Sequence, residues 1–358
     1  MRKKLPFSVL LVDATKKATK IPNNQYLQAG IFPIIDQGKE WVSGFWNTED
    51  GAYSDVPAII FGDHTRIVKY IDTPFYIGAD GVKVLCPARE CDNIKYLYYA
   101  LVAARIPNLG YSRHYKVLKE LSFAVYERNE QDRIVRQLDK LTALMALREK
   151  ELAYFDDLVK SQFIEMFGGG QYPECPVKEF VAGKVESVRR RYKPKDQIRY
   201  VDISSIDNKL NQMTGFTEYT LKDAPSRAQQ CIERGDILVS TVRPNLRNIA
   251  MNTFDDDRMV ASSGFCVLRA TSCERNYLFV ALLLDNFSRK MSELTTGANY
   301  PAIKDSDILE YRIPKPPIDR QIAFARFVEQ SDKSKFRIKQ SLEKLEKCYK
   351  ALLQKYFG

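Results

Sequence analysis

Two stretches decide the fold: ERNEQDRIVRQLDKL (127–141) with SQFIEMFG (161–168), and PIDRQIAFARFVEQ (317–330) with LLQKYFG (352–358). A shift of 190 residues lays the first on the second without a gap, so that Gln131 meets Gln321, Leu152 meets Leu342, and Phe167-Gly168 meets Phe357-Gly358. The chain is an internal repeat. Apolar residues in the first copy fall at Ile134, Leu138, Leu141, Met145, Leu152, Phe155, Val159 and Met166, with Arg148 and Gln162 as breaks. In the second they fall at Phe324, Val328, Ile338, Leu342, Leu345, Tyr349, Leu352 and Tyr356, with Ser331 and Lys335 as breaks. Alternating steps of four and three make a coiled-coil seam. No Pro or Gly interrupts either run, so each predicts a helix of about 38 residues, roughly 57 Å long. A long helix needs a partner for its apolar stripe, and two matching seams supply one as an antiparallel pair. The alternative is two ordinary amphipathic helices, each on its own domain. The length and the shared Phe-Gly stop argue against it.

The segments before each helix are related more weakly. GVKVL (81–85) then YLYYAL (96–101) parallels GFCVL (264–268) then YLFVAL (277–282), each a strand leading into a short helix. IIFGDHTR (59–66) parallels DILVSTVR (236–243), a β-rich run ending in a polar turn with an arginine. The expected order is a globular domain (1–126), a spacer helix (127–168), a second domain (169–318, of which 169–174 is linker) and a second spacer helix (319–358). Gly168-Gly169-Gly170 cannot continue a helix and forms the hinge. Pro314, Pro316 and Pro317 lead into the second helix. The β-branched and aromatic runs at 59–61, 67–70, 198–203 and 237–242 predict twisted, largely antiparallel sheets with a few short helices. The fold class is α+β: two α/β domains separated by two long antiparallel coiled-coil helices, with a pseudo-two-fold repeat.

Composition is that of a globular protein: 358 residues, 45% apolar and 28% charged. No apolar run reaches membrane-spanning length, and MRKKLPFSVLLVDATKK (1–17) reads as the first structural element rather than a signal peptide. The seven cysteines contain no CxxC pair, and the only histidines are His64 and His114. Reduced thiols in a cytoplasmic protein are expected, and no metal site. The net charge of +10 suits a polyanion partner. No basic tail carries it, so a nucleic-acid surface has to be assembled by folding.

No catalytic set is legible. The chain lacks a GxxxxGK[ST] loop, a GxGxxG turn after a strand, and the Asn/Asp-Pro-Pro-Tyr/Phe tetrad of adenine methyltransferases. Asp255-Asp256-Asp257 reads as a solvated turn. What recurs is basic residues in turn-like contexts. In the second half these are Thr241, Arg243, Asn245 and Arg247 of TVRPNLR (241–247), and Asn299 and Tyr300 of TTGANY (295–300). In the first half they are His64, Thr65 and Arg66, and Tyr111, Ser112, Arg113 and His114. Arginine and asparagine can each pair two-pronged with a base edge. Arg189-Arg190-Arg191 is suited to phosphate contact at most.

This pattern resembles the specificity subunit of type I restriction–modification systems over essentially the whole chain. The most specific stretch is APSRA (224–228), which adds Arg227 to the candidate DNA contacts, then GDILVSTVRPN (235–245), SGF (263–265), GANYPAI (297–303) and IPKPP (313–317) with Gln321. The first half is similar through PIIDQG (33–38), FGDHTR (61–66), GADG (78–81) and YSRHY (111–115). It departs in beginning its helix through Tyr126-Glu127-Arg128 without prolines. The resemblance implies a non-catalytic subunit. Each domain would be a target-recognition domain reading one half of a split double-stranded DNA site. The helices would set the half-site spacing and dock two methyltransferase subunits through the seam (Ile134, Leu138, Leu152, Phe155, Val328, Leu342, Leu345, Tyr349). No cofactor would bind this chain. S-adenosylmethionine would sit in the methyltransferase, and ATP and Mg²⁺ in a motor-nuclease partner present in up to two copies. The residues alone leave three alternatives open: a free-standing DNA-binding regulator, a catalytic methyltransferase or nuclease, and a coiled-coil scaffold without enzyme partners.

Overall fold

The structure is a computed structural model that describes residues 3–78, 80–90, 92–110, 112–295 and 301–358. Both seam sequences are helical throughout, over Arg128–Phe167 and Ile318–Phe357, forty residues each. The chain divides into two compact units, Met1–Glu149 with Lys339–Gly358, and Lys150–Ile338. Each unit therefore combines one end of each long helix with its own sheets.

In the first unit, strands Leu11–Asp13, Val82–Pro87, Ala58–Gly62 and Val68–Ile71 form an antiparallel sheet in that spatial order. Ala58–Gly62 is central and wholly buried, which suits its run of Ile59, Ile60 and Phe61. A second sheet joins Gly44–Trp46, Phe32–Ile35 and Tyr76–Ile77, the last pair parallel. Helix Ile94–Val102 buries Tyr96, Leu97, Tyr99, Ala100 and Leu101. Its N-cap, Asn93, accepts from the backbone of Lys95 and Tyr96. The core continues into Ile134 and Leu138 of the first long helix and Tyr356 of the second. Within this unit Tyr356 Oη hydrogen-bonds Gln137, and the Tyr99 and Tyr349 rings meet edge-on at 6.4 Å.

The second unit has a four-stranded sheet, Thr217–Thr220, Gln197–Val201, Met259–Ser262 and Ala228–Cys231. Its five-stranded sheet runs Ile206–Asp207, Gln212–Met213, Ile249–Met251, Ile237–Ser240, Phe265–Leu268. The sheets are mixed, since Gln197–Val201 pairs parallel with Met259–Ser262, and Gln212–Met213 with Ile249–Met251. The core takes in Val159, Phe163 and Phe167 from the first long helix, and Phe324 and Val328 from the second. Phe163 and Phe167 are nearly inaccessible and pack edge-on against Phe324 at 5.4 and 5.6 Å. The seam expectation placed Met166 and the break Gln162 at this end. The buried face has rotated because the last turns pack on the globular core as well as on the other helix. Seam positions nearer mid-helix (Leu152, Phe155, Leu342, Leu345 and Tyr349) are half-buried.

The duplication holds at the level of single hydrogen bonds. Buried Gln131 accepts from Asn93 N–H at 2.8 Å and donates to Tyr126 O at 2.9 Å. Buried Gln321 accepts from Glu274 N–H at 2.9 Å and donates to Pro316 O at 2.8 Å. Asn93 and Glu274 are the N-caps of the two nine-residue helices Ile94–Val102 and Arg275–Leu283. Tyr96 Oη donates to Ala124 O, and Tyr277 Oη to Pro314 O, at 2.7 and 2.5 Å. Each glutamine holds a helix start that would otherwise bury an unsatisfied N–H.

Candidate nucleic-acid interface

The candidate loops leave equivalent corners of the two frames. In the first unit, Asp63 N–H donates to Gly81 O and Gly62 N–H to Ile67 O, closing the turn 63–66. In the second, Thr241 N–H donates to Gly264 O and Ser240 N–H to Asn248 O, closing the longer loop 241–247. Asp63 thus matches Thr241, and Arg66 matches Arg247, each two residues before the first residue of the returning strand. The side-by-side reading of 59–66 with 236–243 had placed Arg66 on Arg243. The hydrogen bonds correct it, because the second loop carries extra residues that a gapless comparison cannot see.

Both closing arginines are left-handed, Arg66 at φ 61° and Arg247 at φ 54°, as is Arg243 at φ 49°. A non-glycine residue there costs about 1–3 kcal/mol, and such strain gathers at functional sites. The closing pair use their side chains alike. Arg66 Nη1 donates to Ile106 O at 3.0 Å, just past helix Ile94–Val102. Arg247 donates from Nη1 to Asp285 at 2.7 Å and from Nε to Ser288 Oγ at 3.1 Å, just past helix Arg275–Leu283. Arg247 thereby holds the Asp285 carboxyl below its usual range. Each side chain ties its loop to the segment after the short helix.

The second loop is braced further. Asn208 donates to Leu246 O at 2.8 Å, and Asn211, itself left-handed, to Arg247 O and Ile249 O at 3.2 Å each. Arg243 N–H donates to Pro301 O, and Ile303 N–H to Thr241 O. Thr241 Oγ1 donates to Gly264 O at 3.0 Å. With its backbone so held, the loop leaves Arg243 and Asn245 exposed, and Arg227 is exposed on its own turn.

The first unit's turn is pinned by a residue not among the expected contacts. Gln37 Oε1 accepts from His64 N–H at 3.1 Å, its Nε2 donates to Asp80 O at 2.9 Å, and its carbonyl accepts from Thr65 Oγ1 at 2.7 Å. Gly81, at φ 88°, is needed here: a Cβ would lie 2.8 Å from the His64 ring and 2.9 Å from Gln37 Nε2. Buried Lys69 donates to Asp36 O at 2.9 Å and Glu40 O at 2.6 Å, and burial lowers its pKa. Its signal in the sequence was a lysine on the inward face of the strand Val68–Ile71, where burial alternates.

His114 is fully buried. Its Nδ1 lies 2.9 Å from Asp63 O, which can only accept, and its Nε2 accepts from Leu109 N–H at 3.2 Å. The ring is therefore the neutral Nδ1–H tautomer with both nitrogens engaged, and it organises the corner rather than facing a ligand. Its backbone N–H donates to Asp63 O as that of Ile303 does to Thr241 O. Ser112 and Arg113 beside it are exposed, as is Thr65, while His64 and Arg66 are half-buried. Tyr111, Asn299 and Tyr300 lie outside the described residues. Among the described residues no three of His, Cys, Asp and Glu converge to hold a metal ion.

Comparison with known proteins assigns this architecture. The family model for the type I restriction modification DNA specificity domain matches residues 182–347. The specificity subunit of the type I restriction enzyme EcoR124I/EcoR124II from Escherichia coli is 24% identical over 341 residues, covering 84% of this chain and 78% of that protein. The EcoDI specificity subunit from Escherichia coli is 25% identical over 156 residues, covering 42% of this chain and 34% of that protein. The crystal structure of the type I restriction–modification S subunit from M. genitalium aligns with 100% of this chain and 96% of its own, with a TM-score of 0.54 at 17% identity, a likeness of fold. Residues 182–347 thus match a type I restriction modification DNA specificity domain, and the chain is similar over most of its length to specificity subunits of type I restriction enzymes.

Proposed function

We propose that the two units read different halves of one bipartite DNA site. The reading rests on one observation: a frame repeated to the hydrogen bond carries loops that have diverged at the same corner in length, charge and bracing. The first unit reads through Thr65, His64, Ser112 and Arg113, and the second through Arg227, Thr241, Arg243 and Asn245. Arg66 and Arg247 hold the loops in shape, and His114 belongs to the frame. Contacts to phosphate give affinity and register, while two-pronged contacts to base edges give the sequence. The domains run 1–126 and 169–318, with the long helices as spacers that set the half-site distance.

The same helices dock two methyltransferase subunits. Ile134, Leu138 and Val328 are buried in the chain's own cores and keep the helices in register. The outward residues Tyr154 and Leu158, 58% and 47% exposed, offer a partner apolar surface. S-adenosylmethionine resides in the methyltransferase, ATP and Mg²⁺ in a motor-nuclease partner, and the complex works in the cytoplasm. No helix among the described residues is long and apolar enough to cross a membrane. The test is co-expression with the methyltransferase. A complex with two methyltransferase subunits, by native mass spectrometry, that methylates adenine within one split sequence is the expected result. A chain that purifies alone, or a complex that methylates without sequence choice, contradicts it.

A further inference from the structure

We infer that Trp41 is a DNA-contact residue of the first unit, a flat apolar platform that packs against the sugar and base surface of the duplex beside the turn 63–66. The inference rests on the first unit reading DNA, and it adds a contact of a different chemistry. Trp41 is 54% exposed, on the loop between strands Phe32–Ile35 and Gly44–Trp46. The other tryptophan, Trp46, is half-buried and packs edge-on against Tyr76 at 6.4 Å. An exposed indole on a slack loop would mean little, but this loop is held at several points. Lys69, 2% exposed, gives its ammonium to the carbonyls of Asp36 and Glu40, the residue before Trp41. Asp36 Oδ1 accepts from Gly38 N–H at 2.7 Å, and Ser43 N–H donates to Ile34 O at 2.9 Å. Lys69 also lies 3.7 Å from the Asp36 carboxylate, so a buried ion pair and two carbonyl hydrogen bonds together hold this surface segment. What they fix is the backbone that carries Trp41, which lowers the cost of placing the ring on a ligand.

The loop's neighbours say which ligand. Gln37, at its start, bonds the backbone of His64 and Asp80 through its side chain and accepts from the Thr65 hydroxyl at its carbonyl, which ties the loop to the candidate DNA turn. Lys39, two residues before Trp41, is exposed. An indole face next to a lysine matches a groove wall that alternates apolar sugar surface and base edges with phosphates.

The test uses the full chain and a duplex carrying the site found by methylation mapping. Trp46→Phe leaves Trp41 as the sole tryptophan; the difference between wild type and Trp41→Ala reports the same emission should that variant fold poorly. Saturating duplex should quench and blue-shift Trp41 emission. Trp41→Ala should weaken binding about tenfold, with Trp41→Phe recovering most of it. An uncharged contact releases no counterions, so Trp41→Ala should leave the slope of log K against log salt unchanged. Lys39→Ala should make it shallower by about 0.9. Intact binding with unmoved emission, or Trp41→Ala binding like wild type, overturns the inference alone. So does a Trp41→Ala variant that binds DNA normally but loses the methyltransferase, since the indole would then face a protein. A wild-type chain that binds no duplex overturns the underlying reading and this inference with it.

Discussion

The two units share a frame and differ at one corner. Both cap a nine-residue helix with a buried glutamine from a long helix, both tie a tyrosine of the nine-residue helix to the strand that precedes the long helix, and both close a loop on a left-handed arginine. The first unit's turn is short and is held from the side by Gln37 and His114, with Lys69 holding the loop that carries Gln37. The second unit's loop is longer, has a second left-handed arginine, and is held by Asn208, Asn211, Asp285 and Ser288. Duplication has kept the parts that make each unit fold and changed those that decide what the corner presents. Frame substitutions should therefore have matched effects in the two units, and loop substitutions should not.

The largest effects belong to the frame. Ile134 and Phe324 occupy the same repeat position and neither is accessible to solvent. Phe324→Ala should cost about 3–5 kcal/mol and Ile134→Ala about 2–5, measured by denaturant unfolding. A loss below 1 kcal/mol at either position breaks the equivalence of the two cores. Gln131→Leu and Gln321→Leu should each cost about 1–3 kcal/mol by stranding the N–H of Asn93 or Glu274. If one proves neutral and the other severe, the shared cap is a coincidence of sequence.

Loop bracing comes next. Asn211→Ala removes two hydrogen bonds to carbonyls and puts a β-carbon residue less suited to φ 50° in its place. A loss of about 1–3 kcal/mol is expected, with hydrogen exchange rising in 243–249 and unchanged in 62–67. Faster exchange in both segments would contradict separate bracing. Asp285→Asn should have the smallest effect, under about 1 kcal/mol, because the carboxylate is 80% exposed. Its pKa is depressed in the folded chain, so what the Arg247 pair contributes is present above the ordinary aspartate range and lost as pH falls through the folded value. An acid titration of loop mobility that is identical in wild type and Asp285→Asn would remove the pair from the account.

The helices were the most legible feature, because a register without gaps and an uninterrupted apolar period leave little else for those residues to do. Their ends were less so: Phe163 and Phe167 face a globular core that the heptad pattern does not encode. Strand positions could be read from β-branched runs. The parallel pairings could not, since they join segments distant in sequence, such as Gln197–Val201 with Met259–Ser262. At the candidate site the arginine-bearing turns stood out by composition. Their equivalence did not, because it depends on which backbone groups close each loop. His114 looked like a contact, being one of two histidines in a polar segment, yet both its ring nitrogens are spent on backbone. Gln37 and Lys69 carried weak signals, as their work is done on carbonyls and N–H groups that any residue supplies.

The central claim is that each corner reads its own half-site. It is tested most directly by mapping the adenines methylated by the complex carrying Arg113→Ala and, side by side, Arg243→Ala. The expected result is that each variant weakens its target by about 1–3 kcal/mol and relaxes choice in one half-site only, a different one for each. If an arginine holds phosphate instead, binding falls on all sequences alike with a shallower salt slope, and both half-sites keep their identity. One substitution that blurs both half-sites equally would contradict the account.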